Sequence, residues 1–219
     1  KFLDEKLDIL FVTSLASKNW ILDAIAKEIG SRSNLKWAIY YSSKGKETYI
    51  KIPKSKVIFF MHQALLDWFI DIFKINTNEV KVMCWYTHPN PKHELKRVID
   101  SYKISFGRAH KIIFACNRYK NLWIKRGLDS SKASTILGGA DETIFEFHNR
   151  KFSEYIGLCS SYYERKNPIL LLKIVKLMPH YKFLILGKDW EKFSLIDDLM
   201  LNGNVEYIDF PEELKGSYL

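Results

Sequence analysis

"STILGGADETIFEF" (residues 134–147) places two adjacent glycines and two adjacent acidic residues between short apolar runs. Glycine tolerates backbone conformations and close approaches that other residues do not. On both sides of this stretch, apolar runs typical of strands alternate with helical patterns, and the alternation restarts after residue 150. We therefore interpret the stretch as the connection between two α/β units.

The part of the chain before this connection contains five apolar runs with the length and the β-branched or aromatic content of strands. They lie at 8–14, 36–42, 56–62, 79–87 and 110–117, and helical patterns separate most of them. These runs are apolar at successive positions, which favours a parallel sheet buried on both faces. The alternation predicts a doubly wound α/β layer.

After residue 150 the order β-α-β-α-β repeats in a shorter form. Predicted strands lie at 155–160, 182–187 and 204–210, and predicted helices at 168–178 and 191–201. The sequence therefore predicts two domains, residues 1–148 and residues 149–219, with the second one incomplete.

The composition is that of a globular protein with an excess of positive charge. The 219 residues are 47% hydrophobic and 27% charged, and the formal net charge is +9. This charge favours anionic partners, which could be nucleic acid, anionic lipid or nucleotide phosphates. No recognisable nucleic-acid-binding motif is present, so we expect no nucleic-acid partner.

The three cysteines, Cys84, Cys116 and Cys159, are far apart and lie in apolar runs. This pattern predicts reduced thiols in the core of a cytoplasmic protein. No run of 18 or more apolar residues and no signal-peptide pattern is found. A peripheral position on the inner face of the membrane is the alternative localisation.

A predicted helix around residues 95–106 has a basic edge formed by Lys92, Lys96 and Lys103. One interpretation is an ordinary solvated lysine face. The other is contact with an anionic membrane or with an acceptor molecule. The sequence leaves both open.

The predicted helix that follows residue 167 has a well-marked beginning. Asn167 is a favourable N-cap residue, and Pro168 suits the first helical position. The unpaired N–H groups of a helix N-terminus attract anions, and Arg165 and Lys166 directly precede it. A phosphate or diphosphate could bind there, and an exposed basic loop is the alternative.

Two stretches resemble the GT-B glycosyltransferases of group 1, the GT4-like family. In residues 109–147 the resemblance rests on Gly127, Gly139, Asp141 and Phe145. In the second domain it rests on Lys166, Leu171, Leu172, Leu186, Gly187, Val205, Tyr207, Leu214 and Tyr218. The resemblance implies two Rossmann-like domains in GT-B architecture, with this chain ending inside the donor domain.

The resemblance implies a retaining transferase that moves a sugar from a nucleotide-sugar to a glycan or lipid-linked acceptor. No cofactor and no metal are expected, because fixed cations and helix N–H groups stabilise the leaving diphosphate. The first domain would hold the acceptor, and we assign Ser14, Lys96 and Lys103 to that side. The implied donor-binding residues of the second domain are Ser161, Arg165, Lys166, Gly187, Asp209 and Phe210.

His88 is the predicted catalytic residue. It follows the fourth apolar run and matches the family's histidine at the corresponding strand end. Open α/β sheets bind ligands at the carboxyl ends of their strands. An imidazole there could hydrogen-bond a donor-sugar hydroxyl, although an ordinary loop histidine is the alternative. His62 and His93 show no zinc-ligand spacing with cysteines.

Three departures from the family pattern keep other functions open. Ser161 stands where the family has an arginine, and the turn after the first strand lacks a glycine pair. The family's paired glutamates would lie beyond Leu219, so we expect these 219 residues alone to be inactive. A non-catalytic binding protein of the same fold is the main alternative, and a sugar-nucleotide epimerase of GT-B architecture is a further one.

Overall fold

The computed structural model describes residues 6–43, 51–87, 96–138 and 154–209. The chain divides into two compact units, residues 1–140 and residues 141–218. The predicted boundary at residue 148 falls in 139–153, outside the described residues.

The first unit contains a parallel six-stranded sheet in the order β2-β1-β3-β4-β5-β6. Five of these strands coincide with predicted runs. The sixth, β6, has three residues and pairs with β5, with Ile112 opposite Ala133. The strands are β1 (Leu7–Ser14), β2 (Trp37–Ser42), β3 (Ser55–Phe60), β4 (Lys81–Tyr86), β5 (Lys111–Phe114) and β6 (Ala133–Thr135).

Helices cover both faces of this sheet, which confirms the doubly wound prediction. They are α1 (Ile21–Ser31), α2 (Leu66–Ile72), α3 (Lys96–Arg108) and α4 (Asn117–Lys125). Alternate strand residues point to opposite faces. Phe11 and Phe59 therefore pack with Ala26 of α1, whereas Val12 and Phe60 pack with residues of α2, α3 and α4.

The second unit contains a parallel three-stranded sheet, β7 (Tyr155–Cys159), β8 (Lys182–Leu186) and β9 (Val205–Ile208), in that order. Its described helices are α5 (Pro168–Leu177) and α6 (Ile196–Met200). The predicted helix at 191–201 is shorter because Phe193 takes an extended backbone with φ −73° and ψ 117°. This conformation accompanies burial of the Phe193 ring in the core beside Trp190.

None of the three described cysteines forms a disulfide, but they do not all lie in the core. Cys84 is buried, Cys116 is partly buried and Cys159 is exposed. The core prediction is therefore wrong for Cys159. It lies on β7, an edge strand of which Leu158 packs against the core of the unit.

No helix within the described ranges combines the length and the apolar character needed to cross a bilayer.

Candidate functional site

The carboxyl ends of the three parallel strands in the second unit meet at one edge of their sheet. Ser160 N–H donates to the Leu186 carbonyl at 2.8 Å, and Gly187 N–H donates to the Ile208 carbonyl at 3.2 Å. Open α/β sheets bind their ligands at this edge. The turns after β7 and β8 and the end of β9 therefore lie side by side in the position expected of a ligand site.

Gly187 is required by the close packing of two of these turns. A Cβ atom at residue 187 would lie 2.1 Å from the Ser160 carbonyl oxygen. The same oxygen accepts a hydrogen bond of 2.7 Å from Nε1 of Trp190, which is buried. These contacts hold the main chain of the two turns in place. Because residue 187 has no side chain, a ligand can approach its main chain closely.

The beginning of α5 confirms the predicted cap. Asn167 has a left-handed backbone with φ 54°, and its side chain accepts a hydrogen bond of 3.3 Å from Leu170 N–H. Pro168 occupies the first helical turn and is buried. Lys166 directly precedes the cap and is exposed. The macrodipole and the lysine charge add at this end of the helix and favour a bound anion.

Four of the predicted donor-binding residues can be located at or near this edge. Ser161 follows β7, Gly187 follows β8, Asp209 follows β9 and Lys166 lies between β7 and α5. Burial and the charge of Asp209 raise the pKa of Tyr207, the third residue of β9. The Arg165 side chain and all of Phe210 lie outside the described part of the chain.

The predicted acceptor-side residues lie in the first unit. Ser14 ends β1, and its side chain accepts a hydrogen bond of 3.3 Å from Ala16 N–H. Lys96 begins α3, and Lys103 lies seven residues further along the same exposed face. His88 falls in 88–95, outside the described residues. His62 uses Nδ1 to accept from Ala64 N–H at 3.1 Å, and so caps a short helical turn.

Sequence reasoning missed a buried carboxylate, Asp23, in the first turn of α1. Its side chain is fully buried and contacts Lys27 Nζ at 2.7 Å. It also accepts from Asn19 N–H at 2.8 Å and from Tyr41 Oη at 2.7 Å. Burial opposes ionisation, but these hydrogen bonds outweigh it and lower the pKa of Asp23. Asp23 thereby joins the turn after β1 to the end of β2.

Two further polar side chains, at the carboxyl edge of the six-stranded sheet in the first unit, were also missed. Thr13 near the end of β1 and Gln63 after β3 are buried, at 0% and 4% exposure. Thr13 Oγ1 and Gln63 Oε1 have no hydrogen-bond partner among the described residues. Buried polar atoms normally pair with protein, water or ligand. No cluster of three His, Cys, Asp or Glu side chains suited to a metal ion occurs in the described ranges.

No model of a known protein family matches the sequence, and a search of curated proteins finds no match. Solved structures, in contrast, are similar along most of the chain. HepE of Anabaena, solved with UDP-glucose, matches with a TM-score of 0.64 and 13% sequence identity. The matched region covers 96% of this chain and 71% of HepE. WaaB, a lipopolysaccharide outer core galactosyltransferase, has a TM-score of 0.59 and 11% identity, covering 94% of this chain and 68% of WaaB.

A third similar structure, UDP-N-acetylglucosamine 2-epimerase of Rickettsia bellii, has a TM-score of 0.53 and 10% identity. The matched region covers 96% of this chain and 71% of the epimerase. These likenesses confirm the predicted α/β fold of GT-B type. At such identities they establish the fold, which transferases and an epimerase share.

Proposed function

We propose that this protein is a glycosyltransferase that moves a sugar from a nucleotide-sugar donor to a glycan or lipid-linked acceptor, with retention of configuration. The observation that carries the proposal is the carboxyl edge of the second unit. There a capped helix N-terminus and an exposed lysine accompany main-chain turns that are packed too tightly for a side chain at Gly187. HepE, which has the same fold, was solved with UDP-glucose.

The donor diphosphate would bind at the beginning of α5. Its negative charge grows as the sugar departs, and the Lys166 ammonium and the positive end of the helix dipole stabilise that charge. Such fixed donors need no metal ion and no cofactor. Gly187 lets the nucleotide approach the main chain, and the Asp209 carboxylate can accept hydrogen bonds from the nucleoside.

The acceptor would bind at the carboxyl edge of the first unit, near Ser14 and Lys96. The unpaired oxygens of Thr13 and Gln63 support a polar ligand or ordered water at that edge. His88 is the proposed catalytic group, with the role of hydrogen-bonding the donor sugar near its anomeric carbon. That assignment rests on the sequence.

A non-catalytic binding protein is the second candidate. Ser161 stands where the resemblance implies an arginine, and Ser161 uses its carbonyl to accept from Ser160 Oγ at 2.8 Å. Residue 161 itself therefore supplies no guanidinium to a phosphate. The epimerase among the similar structures makes sugar epimerisation the remaining alternative.

The deciding experiment incubates the full-length protein with UDP-sugars and follows the anomeric protons by NMR. Release or transfer of a sugar that first appears with the donor's anomeric configuration supports a retaining transferase. Nucleotide binding without turnover supports the binding protein, and an epimerised sugar supports the epimerase. Activity that persists in the presence of a chelator is expected, because the proposed diphosphate site uses no metal.

A further inference from the structure

A lysine lies at the start of every strand in the six-stranded sheet of the first unit. Because all six strands are parallel, their starts lie at one edge, opposite the edge proposed for the acceptor. Neighbouring strands are about 4.8 Å apart, so this row is about 24 Å long. The basic row consists of Lys6, Lys36, Lys54, Lys56, Lys81, Lys111 and Lys132.

Most of the basic row is available to a partner. Lys6, Lys36, Lys54, Lys56 and Lys81 are exposed. Of these five, Lys56 forms an ion pair with a described residue, Asp8, at 2.7 Å. Lys111 and Lys132 are partly buried and donate to the carbonyls of Ser131 and Gly107, at 2.8 Å and 2.9 Å.

Two lysines of the row, Lys81 and Lys132, act on a neighbouring histidine. His110 precedes β5, and its Nδ1 accepts a hydrogen bond of 3.0 Å from Val82 N–H. Burial and the charges of Lys81 and Lys132 lower the pKa of His110. Lys81 and Lys132 thus place positive charge beside His110, and an anionic partner at this edge would offset it.

Exposed aliphatic side chains accompany the lysines along this edge. Leu35 precedes Lys36 and is 46% exposed, and Ile72 at the end of α2 is 45% exposed. Ile104, beside Lys103 in the last turns of α3, is 71% exposed. The helices run antiparallel to the strands, so their last turns lie at this same edge. Basic and aliphatic groups together suit a lipid–water interface.

We infer that the basic row and its aliphatic neighbours dock the protein onto an anionic membrane surface. This inference goes beyond the proposed function and does not depend on it. Single-stranded nucleic acid is the less suitable partner, because it is bound by exposed aromatic rings, whereas the exposed side chains named above are aliphatic. Docking through this edge turns the opposite edge, with Ser14 and Lys96, away from the membrane and leaves it open to a glycan acceptor in solution.

The test is co-sedimentation of the full-length protein with phosphatidylcholine vesicles, with and without phosphatidylglycerol. Binding is expected only with phosphatidylglycerol and should fall as salt rises from about 0.1 M to about 1 M, where the screening length shrinks from about 10 Å to about 3 Å. The variant Lys54→Glu/Lys81→Glu should lower the vesicle partition coefficient by about tenfold or more, because each lysine near an anionic surface contributes to binding.

The matched control is Lys173→Glu/Lys176→Glu, which changes the net charge equally at exposed positions of α5 and should leave binding near that of the parent. A Lys54→Gln/Lys81→Gln variant guards against misfolding caused by charge reversal and should show an intermediate loss. Ile72→Ser should weaken the part of the binding that survives high salt. Equal losses in both charge-reversal variants, or tighter binding to DNA than to anionic vesicles, would overturn the inference.

Discussion

Gly187 and Ser160 approach each other so closely that the Ser160 carbonyl oxygen occupies the space of a side chain on residue 187. A Cβ atom there would lie 2.1 Å from that oxygen. Nε1 of the buried Trp190 donates a hydrogen bond of 2.7 Å to the same oxygen. The two turns that flank the proposed nucleotide site therefore cannot separate without breaking the core of the second unit.

Gly187→Ala should destabilise the second unit by about 1–3 kcal/mol, because the methyl group would force the two turns apart. Urea denaturation, combined with hydrogen exchange in residues 155–187, measures the loss. Gly157→Ala is the matched control, since a Cβ at residue 157 has no atom within 4 Å and should change stability by less than about 0.5 kcal/mol. Equal effects of the two substitutions would contradict the close-contact argument.

The hydrogen bond between Tyr41 and Asp23 predicts a loss of stability at alkaline pH. Burial and the Asp23 carboxylate raise the pKa of Tyr41 from 10.0 to about 12. The folded protein therefore favours the neutral phenol, and this stabilisation is complete below pH 10 and lost as the pH rises from 10 to about 12. Chemical denaturation should show the free-energy difference between the parent and Tyr41→Phe shrinking over that interval. A constant difference would argue against the bond.

Asp23 predicts the opposite dependence at acid pH. Its pKa is lowered from 3.8, so its carboxylate stabilises the fold above pH 3.8 and loses that effect as the pH falls further. The advantage of the parent over Asp23→Asn in denaturation experiments should accordingly diminish below pH 3.8. Glu28→Gln is a suitable control, because Glu28 pairs with Arg32 at the exposed surface and should show little such change.

The fold could be predicted from the sequence because strand and helix signals are local. The apolar runs at 8–14 and 36–42 became neighbouring parallel strands, and the cap formed by Asn167 and Pro168 begins α5 as predicted. These patterns depend on hydrophobic burial and on backbone chemistry within a few residues.

The details of the candidate site depend on contacts between residues that are distant in the sequence. Asp23 and Tyr41 are 18 residues apart, and Gly187 is 27 residues from Ser160. The sequence immediately around Asp23 does not distinguish this buried carboxylate from a solvated residue of a surface helix. For Cys159 the prediction was wrong in the opposite direction. Its apolar run indicated a buried side chain, but Cys159 is exposed on the edge strand β7.

The cysteines should differ in reactivity with a thiol reagent. Burial, with a smaller contribution from the charge of Asp67, raises the pKa of Cys84, and the side chain is inaccessible. Cys159 is exposed and should react in the folded protein, whereas Cys84 should react only after denaturation. Titration with a chromogenic disulfide, repeated on Cys159→Ser, checks the assignment. Loss of the fast reaction in that variant is expected, and its survival would place the reactive thiol elsewhere.

Lys166 should contribute more to nucleotide binding than any lysine further along α5. If its ammonium makes a charge-assisted hydrogen bond with the donor diphosphate, Lys166→Ala should weaken nucleoside-diphosphate binding by about 1.5–3 kcal/mol. Lys173→Ala provides the control, because Lys173 is exposed on the same helix but lies beyond its first turn, where the macrodipole has little effect. Calorimetric titration of the full-length protein measures both variants. His88→Ala should instead reduce turnover in donor hydrolysis more than nucleotide affinity, as expected of a group that acts on the sugar. If Lys166→Ala bound nucleotide as tightly as Lys173→Ala, the diphosphate site would not lie at the beginning of α5, and the non-catalytic alternative would gain support.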